Sequence, residues 1–260
     1  MLVHGSLDRG SSFTRVVRRL PGLRIITYDR RGYQGSRDAA APGGLGVHIA
    51  DLLEVAAAAG EGGDRVTAVG HSYGGDVVIG ATIAEPGRFA SIGAFEPPMP
   101  WLGFRRNVTG AGSPAKGPAA PGRGWSPLTE DPAIEAERFF ARMVGESSWE
   151  RLSESGRASR RADGPALVDD LMALRTAAPF DVRTLSVPAV FGRGGPASGA
   201  HHRDTVAWLV EHVPGATLFE VTGSGHGAHL SHPDAFAELV TVAVGLGRRE
   251  PDARLEGALR

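Results

Sequence analysis

The run Gly70-His71-Ser72-Tyr73-Gly74-Gly75 constrains this chain more than any other stretch. Before it, Val66, Ala68 and Val69 read as a buried parallel strand; after it, residues 76–84 are apolar enough for a helix packed on a sheet. A G-x-S-x-G serine between a strand and a helix occupies a strained turn, where flanking glycines avoid Cβ clashes. The hydroxyl then stands at the carboxyl end of the strand, beside helix N–H groups whose dipoles favour developing negative charge. This context points to a nucleophile. The bland alternative is a Gly-rich turn around a buried serine.

The rest of the chain alternates in the same way. Strand patterns at residues 1–3, 23–28, 91–95, 187–192 and 216–221 are interleaved with helical spacing near 13–20, 47–59, 205–212 and 233–246. Strands alternating with helices argue for a parallel sheet covered on both faces. The alternation breaks after Glu96. Residues 107–127 are rich in Gly, Pro and Ala and read as a flexible loop, whereas 131–178 carry helical patterns. The expected division is a core of 1–96 and 183–260, with a helical lid inserted at 97–182.

A chain of 260 residues, 42% hydrophobic and 22% charged, is large enough for one such domain. The net charge of −1 gives no electrostatic reason to expect nucleic acid or an anionic membrane as partner. The absence of cysteine excludes disulfides, thiolate metal sites and cysteine nucleophiles. Asp8, Arg9, Arg15, Arg18 and Arg19 interrupt any signal-peptide core, so a soluble, cytoplasmic protein is expected.

Four landmarks in order make the chain resemble the α/β-hydrolase superfamily over nearly its whole length. They are His4-Gly5-Ser6, Asp29-Arg30-Arg31-Gly32-Tyr33 with Ser36, the turn at Gly70 to Gly75, and Gly223-Ser224-Gly225-His226 followed by His232-Pro233. The second departs from the family's D-x-R-G-x-G-x-S pattern, because Gln34 interrupts the glycine spacing. The resemblance implies an α/β-hydrolase fold and acyl transfer through Ser72, since relatives that open epoxides or remove halide carry aspartate there. It makes His226 the general base and the backbone N–H groups of Ser6 and Tyr73 the oxyanion donors, with Leu7 the alternative to Ser6. It also places two strands ahead of the one that Met1 falls within. An incomplete start is therefore expected, or an edge along 23–28 that pairs in a homodimer.

The acid departs from the family's usual position. Most members carry Asp after the strand at 187–192, but this chain reads Gly192-Arg193-Gly194-Gly195-Pro196-Ala197-Ser198. Asp204 lies where a helix should already have begun. Glu96, at the end of the strand 91–95, is the favoured replacement; anchoring the lid hinge is its bland alternative. His226, His229 and His232, spaced by three, raise a metal site, but Pro233 puts them in a loop without a carboxylate cluster, so no metal and no cofactor is expected. His201 and His202 read as a solvated pair, and His71 as packing beneath the turn.

Trp101, Phe104, Phe139, Phe140, Met143 and Trp149 are candidates for an apolar pocket roof, or simply for packing lid helices on the core. The leading expectation is hydrolysis of an ester or related acyl bond in a small, partly apolar molecule. An acyltransferase or cofactor-free perhydrolase would use the same residues. A non-catalytic ligand-binding relative is the alternative from another class.

Overall fold

The computed structural model describes residues 1–39, 43–60, 63–102, 128–176 and 178–248. Five parallel strands, β1 (Leu2–Val3), β2 (Val66–His71), β3 (Phe89–Phe95), β4 (Ala189–Gly194) and β5 (Thr217–Val221), lie side by side in chain order. Alternate side chains leave opposite faces of a strand, which divides the core in two. Val3, Ala68, Ala94 and Phe191 pack under α2 (Gly44–Ala59), α3 (Tyr73–Ala84) and α8 (Ala200–His212). Leu2, Val69, Phe95 and Val190 pack under α1 (Thr14–Val17) and α10 (Pro233–Gly247). Each fully buried Val, Leu or Phe among them contributes about 1.5–3 kcal/mol.

The strand expected at 23–28 is not one. It makes a single parallel bridge, Thr27 to Leu2, supported by the Leu2 N–H donating to Ile26 O at 2.9 Å. The reason is its neighbour: β1 has two residues and leaves the sheet at His4, too short to template a ladder. A groove of about 240 Å³ follows this edge, lined in part by Leu23, Ile25, Ile26, Val66, Val240 and Val244; no residue of the Ser72 turn lines it.

Between β3 and β4 stand α4 (Pro132–Val144), α5 (Glu146–Glu150), α6 (Glu154–Ala162) and α7 (Gly164–Ala173). Asp131 caps α4 by accepting from the Ala133 N–H at 2.8 Å, and Ser153 caps α6 by accepting from Gly156 at 3.1 Å. The apolar faces of α4 and α7 close on a third cluster, in which Ala136, Leu167 and Leu171 meet Leu7 of the core. A short α9 (Ala228–Ser231) precedes α10. Among the described residues no helix is long and apolar enough to cross a membrane.

Candidate active site

Ser72 joins β2 to α3 with φ 52° and ψ −130°, a left-handed backbone that costs a non-glycine residue on the order of 1–3 kcal/mol. Its neighbours explain how the strain is kept. A Cβ on Gly70 would lie 2.2 Å from the Gly74 carbonyl oxygen, and one on Gly74 would lie 2.3 Å from Val3 O. Only glycine allows the turn to close this tightly against β1. The Ser72 N–H donates to Phe95 O at 2.8 Å, and the Gly75 N–H returns to Ser72 O at 2.7 Å. The loop after β1 abuts the serine, since a Cβ on Gly5 would come 2.9 Å from Ser72 Cβ.

At the adjacent strand end lies Glu96, fully buried, with φ 48° at the exit of β3. Its Oε1 accepts from the Gly194 N–H at 2.7 Å and from Ser198 Oγ at 2.5 Å, which anchors it to the end of β4. Its Oε2 lies 2.7 Å from His226 Nδ1. Burial alone would push this carboxyl up; the bonds from His226, Ser198 and Gly194 outweigh it and hold Glu96 below its ordinary value. An ionised carboxylate only accepts, so His226 carries its proton on Nδ1 and keeps an Nε2 lone pair when neutral.

The glycine-rich turn after β5 positions His226, with Gly223 at φ 79°. His71, immediately before Ser72, secures that turn by donating from Nε2 to the His226 carbonyl at 2.8 Å. Burial, reinforced by His229 and His226, drives the His71 pKa well down, so the ring is neutral. The backbone that bears the serine is thereby tied to the backbone that bears the imidazole.

His202 was not foreseen here. Instead of a solvated loop residue it is buried, with its ring stacked on His226 at 4.3 Å and 12°. The helix α8 begins at Ala200, so His202 falls in its first turn, against the site. Asp204, two residues on, is exposed on the same helix. The histidines at 226, 229 and 232 do not converge: His226 faces Glu96, His229 Nε2 lies 3.1 Å from Asp8 Oδ2, and His232 Nδ1 lies 2.9 Å from Ser231 Oγ. Two other trios, Asp8–His71–His229 and Glu96–His202–His226, bring ligand-capable atoms within 4.8 Å of one another.

The remaining expected residues fall in three places. Ser6 Oγ donates to Asp170 Oδ2 of α7 at 2.8 Å; Leu7 follows at φ 53°; Tyr73 opens α3, fully buried. Phe139 and Phe140 pack in the cluster that holds Leu7, and Trp149 lies behind Phe140 at 5.5 Å between ring centres. Met143 is half-buried on α4, whereas Trp101 packs on Phe180, at 5.9 Å, and on the α2–α3 side of the core. Phe104 and the loop expected at 107–127 lie outside the described residues.

The family model described as the alpha/beta hydrolase family matches residues 1–239. No curated protein matches the chain significantly. Among solved structures, the fold is similar to a hydrolase from Pseudomonas aeruginosa, with TM-score 0.67, 20% identity and coverage of 94% of this chain and 88% of that one. A bromoperoxidase from Bacillus anthracis gives TM-score 0.68 at 20% identity, covering 94% and 90%. A thermophilic esterase from Thermogutta terrifontis gives 0.65 at 16% identity, covering 95% and 89%.

Proposed function

The chain belongs to the α/β-hydrolase family, and from that premise we propose that it is a serine hydrolase of an ester or related acyl bond in a small, partly apolar substrate. The observation that carries this reading is the 2.7 Å contact between Glu96 and His226, on the same rim as a serine held at positive φ.

Ser72 Oγ attacks the substrate carbonyl while its proton passes to His226 Nε2. The negative oxygen is received by the backbone N–H groups of Tyr73 and Ser6, and losing one such donor costs about a hundredfold or more in rate. The imidazolium, stabilised by Glu96, returns the proton to the leaving alcohol as the C–O bond breaks. Water then attacks the acyl carbon as His226 takes its proton, and that proton passes to Ser72 Oγ as the Oγ–acyl bond breaks, which frees the acid and restores Ser72. No step calls on a cofactor. Helices α4 to α7 act as the lid. The packing of Phe139 and Phe140 with Leu7 supports an apolar wall beside the oxyanion donors.

Turnover of p-nitrophenyl esters from acetate to decanoate tests the reading. Wild type should hydrolyse a subset of them, and Ser72→Ala should lose that activity entirely. An active Ser72→Ala variant would remove the serine from the mechanism.

A further inference from the structure

We propose, on the reading that the Ser6 and Tyr73 amides receive the oxyanion, that Asp170 of α7 is a positioning residue which holds the Ser6 half of that site in register, so that acyl transfer requires α7 to be seated on the core. Asp170 has no role in the hydrolase reading itself, yet it is fully buried and makes four hydrogen bonds. It accepts from Ser6 Oγ at 2.8 Å, from Tyr33 OH at 2.7 Å, and from Arg30 Nη1 and Nη2 at 3.1 and 2.6 Å. The Arg30 guanidinium is also fully buried. With its remaining donors it reaches His4 O from Nε at 3.0 Å and Gly5 O from Nη2 at 3.2 Å.

The last contact is the informative one. In a planar trans peptide the C=O and N–H point in opposite directions. The Gly5 carbonyl and the Ser6 N–H belong to one such unit, so fixing Gly5 O on the guanidinium turns the Ser6 N–H away from it. His4 adds a second restraint: its Nε2 accepts the Arg30 N–H at 2.8 Å, which puts the proton on Nδ1 and lets Nδ1 donate to Gly5 O at 2.8 Å. The guanidinium carbon also lies 4.8 Å over the Tyr73 ring, so one cation touches Tyr73 and the Gly5 carbonyl of the peptide unit that carries the Ser6 N–H. Asp170 is what holds that cation in place. A fork-to-fork pair fixes direction as well as distance, which a leucine at this position of α7 would not do.

Two more contacts bind this corner of the core to the helical segment. Gln34, at φ 43° in the turn after Asp29, donates from Nε2 to Asp163 Oδ2 at 2.8 Å. Arg160 Nη1 donates to Leu7 O at 2.6 Å. Among the described residues, the segment is thus tied to Ser6, Leu7 and the turn that carries Gln34.

The test is steady-state turnover of the best p-nitrophenyl ester by Ser6→Ala, Ser6→Thr, Asp170→Asn and the double variant Ser6→Ala with Asp170→Asn, alongside thermal unfolding. Ser6→Ala keeps its backbone N–H and the ion pair, and loses only the strap to Asp170. The expected result is a kcat lowered about tenfold with KM within about twofold and an unchanged melting temperature, and recovery in Ser6→Thr. Asp170→Asn should fall about a hundredfold in kcat, and adding Ser6→Ala to it should cost less than about twofold more. If Asp170→Asn does not fold, Ser6→Ala and its rescue decide alone. Wild-type kcat in Ser6→Ala, from an enzyme that turns over and is labelled at Ser72 by a fluorophosphonate, would overturn the positioning role. Absence of turnover and of label in wild type would instead overturn the serine reading, and this proposal with it.

Discussion

Glu96 and Asp170 are both buried carboxylates held below their ordinary pKa, and the contrast between them separates chemistry from scaffolding. In both, burial alone would raise the pKa. Around Glu96 the opposing groups are one imidazole, one hydroxyl and one backbone N–H. Around Asp170 the dominant one is the guanidinium of Arg30, with His48 Nε2 3.3 Å from Oδ1. A carboxylate facing an imidazole supports a proton that comes and goes. One facing a guanidinium, which does not titrate in the accessible range, supports a fixed geometry. On the proposed function, the β3–β4–β5 corner handles the proton and the α7 corner holds the geometry.

The contrast breaks most visibly if Glu96→Gln is harmless. That variant presents an amide to Nδ1, favours the wrong tautomer and should lower kcat by about 10³–10⁴-fold while thermal stability changes little. Asp170→Ala should differ in kind, costing about 3–5 kcal/mol in denaturant unfolding in addition to lost turnover, because it leaves Arg30 buried and unpaired. A smaller effect concerns pH. The folded pKa of Asp170 lies below its unfolded value, so its stabilisation is present above the ordinary carboxylate range and fades as pH falls through the folded value. The stability gap between wild type and Asp170→Asn should therefore narrow steadily from about pH 5 downward; a gap independent of pH would contradict the ionised pair. The smallest effect is expected at His202. His202→Ala should cost about two- to tenfold in kcat through loss of stacking, and His202→Phe should recover most of it, because the ring restrains His226 by contact.

Much of the site is legible in the sequence because strand ends are legible. Glycines bracket Ser72, Glu96 closes an apolar strand, and His226 follows the last one, so all three belong to the carboxyl edge of a parallel sheet, where Glu96 and His226 pair. What escapes is whatever depends on where a helix begins or what a lone polar residue faces. His202 is missed because 205–212 carry the apolar spacing while the helix starts at Ala200, before that spacing is visible. Asp170 has a signal that could have been read, a carboxylate beside Leu167 and Leu171 in α7, but its partner Arg30 is 140 residues distant. The segment 23–28 has strand composition, yet ladder formation belongs to the pair, and β1 supplies two residues. Gln34 departs from the expected glycine because its side chain binds Asp163, a contact no local pattern encodes.

The central claim is that His226, oriented by Glu96, activates Ser72. The most direct measurement is the second-order rate of fluorophosphonate labelling, with the modified peptide located by mass spectrometry, in wild type and His226→Ala. Wild type should label on Ser72 alone, and His226→Ala should label at least about 10³-fold more slowly. Labelling elsewhere, or at an undiminished rate without the imidazole, would contradict the account.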